Sequence, residues 1–285
     1  MARTRRRGFL KGAAALAASA LTLRASAAGF QTGLRTAEKG CSRPRFGLGL
    51  ASYTFRAFSL EQAIAMTRRL GLGRVALKSF HLPLESREHE IKTAAAAVRA
   101  SGLDLYGCGV VYMATEAEVE QAFDYASAAR MRMVICSPSP GLLSLVERKV
   151  RQTDIRAAIH NHGPEDKVYP TPESAYERLK GFDRRMGLCL DIGHAARAGI
   201  DPAEAARRLF DRLFDVHIKD VSSAARDGQT VEVGRGVIDI PRFIRELVRL
   251  EYSGTLAFEY EKDEKDPLPG LAESVGYVRG VLAAL

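Results

Sequence analysis

The sequence predicts a single (β/α)8 barrel, and three observations carry that prediction. Eight short apolar runs alternate with eight longer segments of helical spacing. The apolar runs lack polar/apolar alternation, so they read as strands buried on both faces, as parallel strands under helices are. Setting aside an N-terminal segment of 27 residues leaves 258 of the 285, close to the roughly 250 that such a barrel takes. A doubly wound open sheet would place a glycine-rich phosphate turn after its first strand; Ala51-Ser52-Tyr53-Thr54-Phe55-Arg56 stands there instead.

Taken in order, strands are expected at 46–52, 74–79, 103–109, 131–137, 154–160, 186–191, 213–219 and 254–259. Helices are expected at 59–71, 86–101, 115–130, 140–152, 172–181, 201–210, 240–250 and 269–283. Ser59-x-x-Gln62 is a capping box for the first helix. Thr171-Pro172 and Asp201-Pro202 each set a cap before a first-turn proline. Gly71, Gly102 and Gly181 follow helices where a left-handed residue is useful.

The N-terminus reads as an address. The net charge of +8 suggests nucleic acid, but six of the 42 basic residues (Arg3, Arg5, Arg6, Arg7, Lys11, Arg24) fall in residues 1–27, which hold no acid. The other 36 face 34 acidic residues, too even a balance for a phosphate-binding groove. The apolar run 12–23 would rise about 18 Å as a helix, short of a bilayer core of about 30 Å. Ala25-Ser26-Ala27 has the small residues of a cleavage site. Arg6-Arg7-x-Phe9-Leu10-Lys11 resembles a twin-arginine export signal. The expected organisation is a signal over 1–27, a lead-in over 28–43 and a barrel over 44–285, with the mature chain in the periplasm or secreted and not inserted in the membrane. Cys108, Cys136 and Cys189 sit in apolar runs and read as small buried hydrophobes. With Cys41 they leave a disulfide pair open in an oxidising compartment, while the lack of any CxxC disfavours a thiolate metal site.

In a barrel of this kind the loops at the carboxyl ends of the strands share one mouth. Five of six histidines (His81, His160, His162, His194, His217) fall at or just past such ends. One inward polar residue from each of the last four strands gives His160, Asp191, His217 and Glu259. Two imidazoles and two carboxylates form a first shell for a divalent ion, Mn, Co, Zn or Fe in preference to all-oxygen Ca. Lys78 ends the second strand in an apolar setting; it points into a wet mouth as base or enolate stabiliser, or it snorkels out. Lys219 shares the face of His217 and either binds substrate oxygens or pairs with a carboxylate. His81, His162 and Tyr53 complete the expected substrate contacts, and Asn161 orients the end of strand five or caps its loop. Tyr53, Phe80, Tyr112 and Tyr169 are wall or packing; there is no Trp to stack on a sugar. The long loop 220–236, with a tight turn at Arg226-Asp227-Gly228, reads as a cover for the site.

At these residues the chain resembles the xylose-isomerase-like barrel family of sugar isomerases and epimerases, over about residues 44–285. The marks are Asp191-x-Gly193-His194, His217-x-Lys219-Asp220, the terminal-strand Glu259, and Gly234-Arg235-Gly236, where the family usually carries Glu in the middle. The resemblance implies that Asp191, His217 and Glu259 ligate a metal, that His194 contacts substrate, and that barrels pair as homo-oligomers. Strand five departs from it: the family's Glu-Asn-His is here His160-Asn161-His162. In the epimerases that Glu also moves a proton, opposite the strand-eight Glu. A metal-bound imidazole has no lone pair left for that work, so His160 keeps the ion and removes half of a two-base mechanism. The expected function is thus a metal-dependent sugar isomerase or epimerase-type enzyme working by one-base enolisation, with Glu259, Lys78 and His194 as the catalytic groups. Elimination or hydrolysis of an oxidised glycoside (a 3-keto-glycoside), the work of a lyase branch, and a non-catalytic sugar-binding barrel stay open beside it. The near-neutral body argues against a nuclease.

Overall fold

The structure, a computed structural model, describes residues 44–285. The export signal expected over 1–27, the lead-in over 28–43 and Cys41 lie outside the described residues. Among those described, eight parallel strands close into a barrel: β1 (Gly47–Ala51), β2 (Arg74–Leu77), β3 (Asp104–Met113), β4 (Met133–Pro138), β5 (Arg156–His160), β6 (Met186–Asp191), β7 (Leu213–Ile218) and β10 (Thr255–Phe258). The first seven follow one another around the ring, and β10 fills the seam between β7 and β1. Two short strands, β8 (Asp220–Val221) and β9 (Thr230–Val231), pair antiparallel on the excursion from β7 to β10. The helices are α1 (Leu60–Arg69), α2 (Glu88–Ala100), α3 (Glu116–Ala128), α4 (Leu143–Thr153), α5 (Pro172–Arg178), α6 (Ile192–Arg197), α7 (Pro202–Arg208), α8 (Ile240–Arg249) and α9 (Leu268–Ala283). No helix among the described residues is long and apolar enough to cross a membrane.

Both faces of the strands are apolar because both are covered. One face, with Val75, Leu105, Val134, Ile159 and Val216, packs under helix residues such as Ile91, Phe123, Val146 and Phe243. The other fills the barrel with Ala76, Tyr106, Met133, Ile135, Ala158 and Cys189. Side chains alternate along a strand. Two residues beyond Ala76, Ala158 and Cys189 therefore come Lys78, His160 and Asp191, one floor higher and at the mouth.

The caps read from sequence are formed. Ser59 and Gln62 close a capping box, Thr171 accepts from Ser174 N, and Asp201 accepts from Ala203 and Glu204 N. The described cysteines are free and buried. Besides the β8–β9 hairpin inside the expected loop 220–236, two elements of the barrel differ from expectation. β3 runs past Gly109 to Met113, its end pairing with Cys136–Pro138. Gly109 does not break the strand; at φ 135° it lets β4 approach so closely that any side chain would strike Ile135. The second difference is α6, six residues starting immediately after β6, where a glycine within a short segment masked the helical signal.

Candidate metal centre and its surroundings

β5, β6, β7 and β10 are consecutive around the ring. They bring His160, Asp191, His217 and Glu259 together, all buried, with ligating atoms within 4.8 Å of one another. His160 Nε2 lies 3.1 Å from His217 Nδ1 and 3.5 Å from Asp191 Oδ2, and His217 Nδ1 lies 3.3 Å from Glu259 Oε2. Donors bound to one ion at about 2.0–2.2 Å stand roughly 3.0–3.6 Å apart, and these three edges fall in that interval. Burial pushes His160 down to about 4, so at neutral pH its ring is uncharged with a lone pair to give. Burial opposes a charge on His217 too, but the adjacent Glu259 carboxylate raises it above the ordinary value.

Lys219 runs into this cluster. Its Nζ is 2.8 Å from Glu259 Oε2, 3.0 Å from Asp191 Oδ2 and 2.8 Å from Glu261 Oε1. Burial alone would raise the Asp191 and Glu259 carboxyls; the ammonium holds both below the usual carboxylate range. Of the two readings left open for Lys219, the structure gives the ion pair, three times over. One ammonium against three carboxylates leaves two negative charges, which a divalent ion would balance. The donor set, its edges and this charge balance fit a divalent metal. Gly193 makes room for the lysine: a Cβ there would collide with the stem of Lys219.

The neighbouring groups shape the mouth. Asp191 Oδ1 accepts from His194 N at 2.8 Å and so caps α6. Asn161 exchanges two 3.0 Å hydrogen bonds with the backbone of Asp191 and fixes the end of β6. His162 lies 4.5 Å from the His160 ring and stacks at 5.2 Å on Tyr112; burial pushes it down to about 3, so it too is neutral. His194 is 5.9 Å from His160, with Arg197 3.3 Å from its Nδ1. A cavity of about 140 Å³ lies beside the cluster, lined by His194, Arg197, Lys219, Gln229, Thr230 and Glu261.

The opposite side of the mouth differs in kind. Lys78 donates to Val110 O and sits 5.5 Å from the Tyr112 ring centre; burial lowers its pKa. The Tyr53 and Phe80 rings are 5.9 Å apart, and Phe80 and Tyr112 are 57% and 59% exposed. His81 departs from its expected role. It is buried, with Nδ1 2.9 Å from Ser52 Oγ and Nε2 3.0 Å from Phe55 O. Both ring nitrogens are taken, so it ties β2 to the segment after β1 and has none left for substrate. Tyr169 is packing: it is buried and donates to Pro138 O at 2.7 Å.

Sequence reasoning had Asp220 only as part of the His217-x-Lys219-Asp220 string and missed what it holds. Its buried carboxylate accepts from Val221 N (2.9 Å), Gly234 N (3.0 Å), Gly236 N (3.0 Å) and Ile238 N (3.2 Å), and it holds the Gly-Arg-Gly turn. Gly234 sits at φ 96°, and a Cβ on Gly236 would strike this carboxylate. The signal was present, since both motifs lie in one short segment. Arg235, between those glycines, is exposed and pairs with Glu273 at the surface.

Comparison with known proteins agrees with this architecture. The family model described as "Xylose isomerase-like TIM barrel" matches residues 53–281. The rhizopine catabolism protein MocC of Rhizobium meliloti is 30% identical over 152 residues, 48% of this chain and 46% of that protein. An inosose dehydratase of Geobacillus kaustophilus is 30% identical over 107 residues, 32% of this chain and 33% of that one. The match thus spans less than half the length of these curated relatives. A solved L-ribulose 3-epimerase shares the fold with a TM-score of 0.68 at 17% identity, over 84% of this chain and 95% of that one.

Proposed function

The chain belongs to the xylose isomerase-like TIM barrel family, and from that premise we propose that it enolises a keto-sugar or keto-cyclitol at a divalent metal centre and expels an oxygen substituent from the next carbon. His160 carries the reading. It stands inside the donor cluster, 3.1 Å from His217 Nδ1, where the family pattern has a carboxylate. As a ligand it cannot also shuttle protons, so a two-face epimerisation loses one of its bases. The dehydratase names among the relatives support an elimination.

His160, Asp191, His217 and Glu259 would hold the ion, which when bound supplies Lewis-acid polarisation of a keto oxygen. Lys219 keeps both carboxylates ionised and turned inward. His194, Arg197 and Gln229 offer hydrogen bonds to hydroxyls in the adjoining cavity. Lys78, its pKa lowered by burial, is the base. It takes the proton beside the carbonyl; the C–H and C–O bonds break, the C=C bond forms, and the same proton leaves with the departing oxygen. One base completes the cycle, so Glu259 serves as a ligand more than as a proton acceptor. Export through the Arg6-Arg7 segment is part of this proposal and puts the reaction in the periplasm or outside the cell.

Cobalt- or manganese-loaded protein incubated in D2O with inosose, and separately with a 3-keto-glucoside, tests it. The expected result is an enone absorbance or a released aglycone, abolished by a chelator. Interconversion of free sugars without elimination would overturn the lyase reading in favour of isomerisation. Neither turnover nor deuterium uptake would leave a sugar-binding barrel.

A further inference from the structure

The floor beneath the donor cluster is mostly small and apolar, with Ala158 under His160 and Ala257 under Glu259. On β7 it is not. Asp215 lies two residues before His217, hence on the same face and one level down, and its exposure is 0%. A lone carboxylate inside a barrel is expensive unless its oxygens are used. One is: Oδ2 accepts from Tyr106 OH at 3.1 Å, a bond that crosses from β3, and lies 3.8 Å from Cys189 Sγ. Directly above, His217 Nε2 is 3.9 Å from Asp215 Oδ2. His217 Nε2 and Asp215 Oδ1 are both buried without a hydrogen-bond partner. The unpartnered Nε2 thus stands over the Asp215 carboxylate, about 1 Å beyond hydrogen-bond length from Oδ2, and the same carboxylate has in Oδ1 an oxygen with no partner of its own.

We propose that Asp215 is the positioning residue for His217. It receives the Nε2–H, which fixes the tautomer and turns the Nδ1 lone pair up into the cluster, while Tyr106 aims the carboxylate. The inference rests on the metal reading above. Outer partners of this kind orient a ligating ring and are typically worth about 10–100-fold in metal affinity. His160 has no such support, because the residue beneath it is alanine. The two imidazoles of one centre are therefore held by different means, His217 from below and His160 by its neighbours in the cluster.

Cobalt affinity of the full chain, measured by competition with a chromogenic chelator, tests this, with the visible cobalt spectrum as a second readout. Asp215→Asn is expected to bind about tenfold more weakly and Asp215→Leu about 100-fold, each with a shifted spectrum; Tyr106→Phe should lose less. A cooperatively melting Asp215→Leu protein with the parent's affinity and spectrum would overturn the inference. If the Leu variant does not fold, unchanged affinity in Asp215→Asn overturns it equally. A parent chain that binds no cobalt would instead reject the metal reading, and the inference with it.

Discussion

The two halves of the barrel mouth are built from different chemistry. β5, β6, β7 and β10 end in four buried ionisable groups, two of which, Asp191 and Glu259, are bridged by Lys219. β2 and β3 end in a half-buried lysine and aromatic rings, of which Phe80 and Tyr112 face water. Buried charge survives only in a fixed geometry in which each group compensates another. Exposed rings on a rigid scaffold can accept ligands of varied shape at little cost. One half is thus prepared for an ion and the other for a carbon skeleton, and the two should fail separately.

The sharpest way to break that division is at the cluster. Asp191→Ala and His160→Ala should each leave less than about a tenth of the parent's bound metal after purification, read by elemental analysis; full metal content in either would show that the ligand set is wrong. Next in size is Asp220→Ala. It strips the acceptor from four backbone N–H groups and should cost about 2–3 kcal/mol in denaturant unfolding; an unchanged midpoint would show that the turn holds itself. On the aromatic side, Tyr112→Ala should raise KM by roughly fivefold, about 1 kcal/mol, with metal content intact. Loss of metal there would mean that the halves are coupled through His162. Arg235→Gln serves as the baseline: its exposed ion pair with Glu273 is worth under about 1 kcal/mol, and neither metal nor KM should move.

The architecture was legible because both faces of each strand are covered, so the strands appear as plain apolar runs; 186–191 matches β6 from end to end. The four cluster residues were legible for the opposite reason, as ionisable side chains terminating those runs. What escaped was whatever depends on direction. His81 sits at a strand end like the others, yet its ring turns to Ser52 and Phe55. Lys219 shares a face with His217, but nothing in the order of residues says that three carboxylates converge on it. Asp215 was hidden because one inward polar residue per strand was sought, although period two already places it under His217. Asp220 takes its meaning from backbone amides; the nearby Gly234-Arg235-Gly236 turn hinted at it, but the residue order alone does not join the two.

The seam of the cylinder has a further consequence. β10 is the last stave to arrive, and it delivers Glu259 to a centre whose other three donors precede it in the chain. A cation gripped there would rivet that stave to its neighbours, so metal supply would govern how tightly the ring stays shut. At a free concentration 100 times Kd, the gain would be about 2.7 kcal/mol.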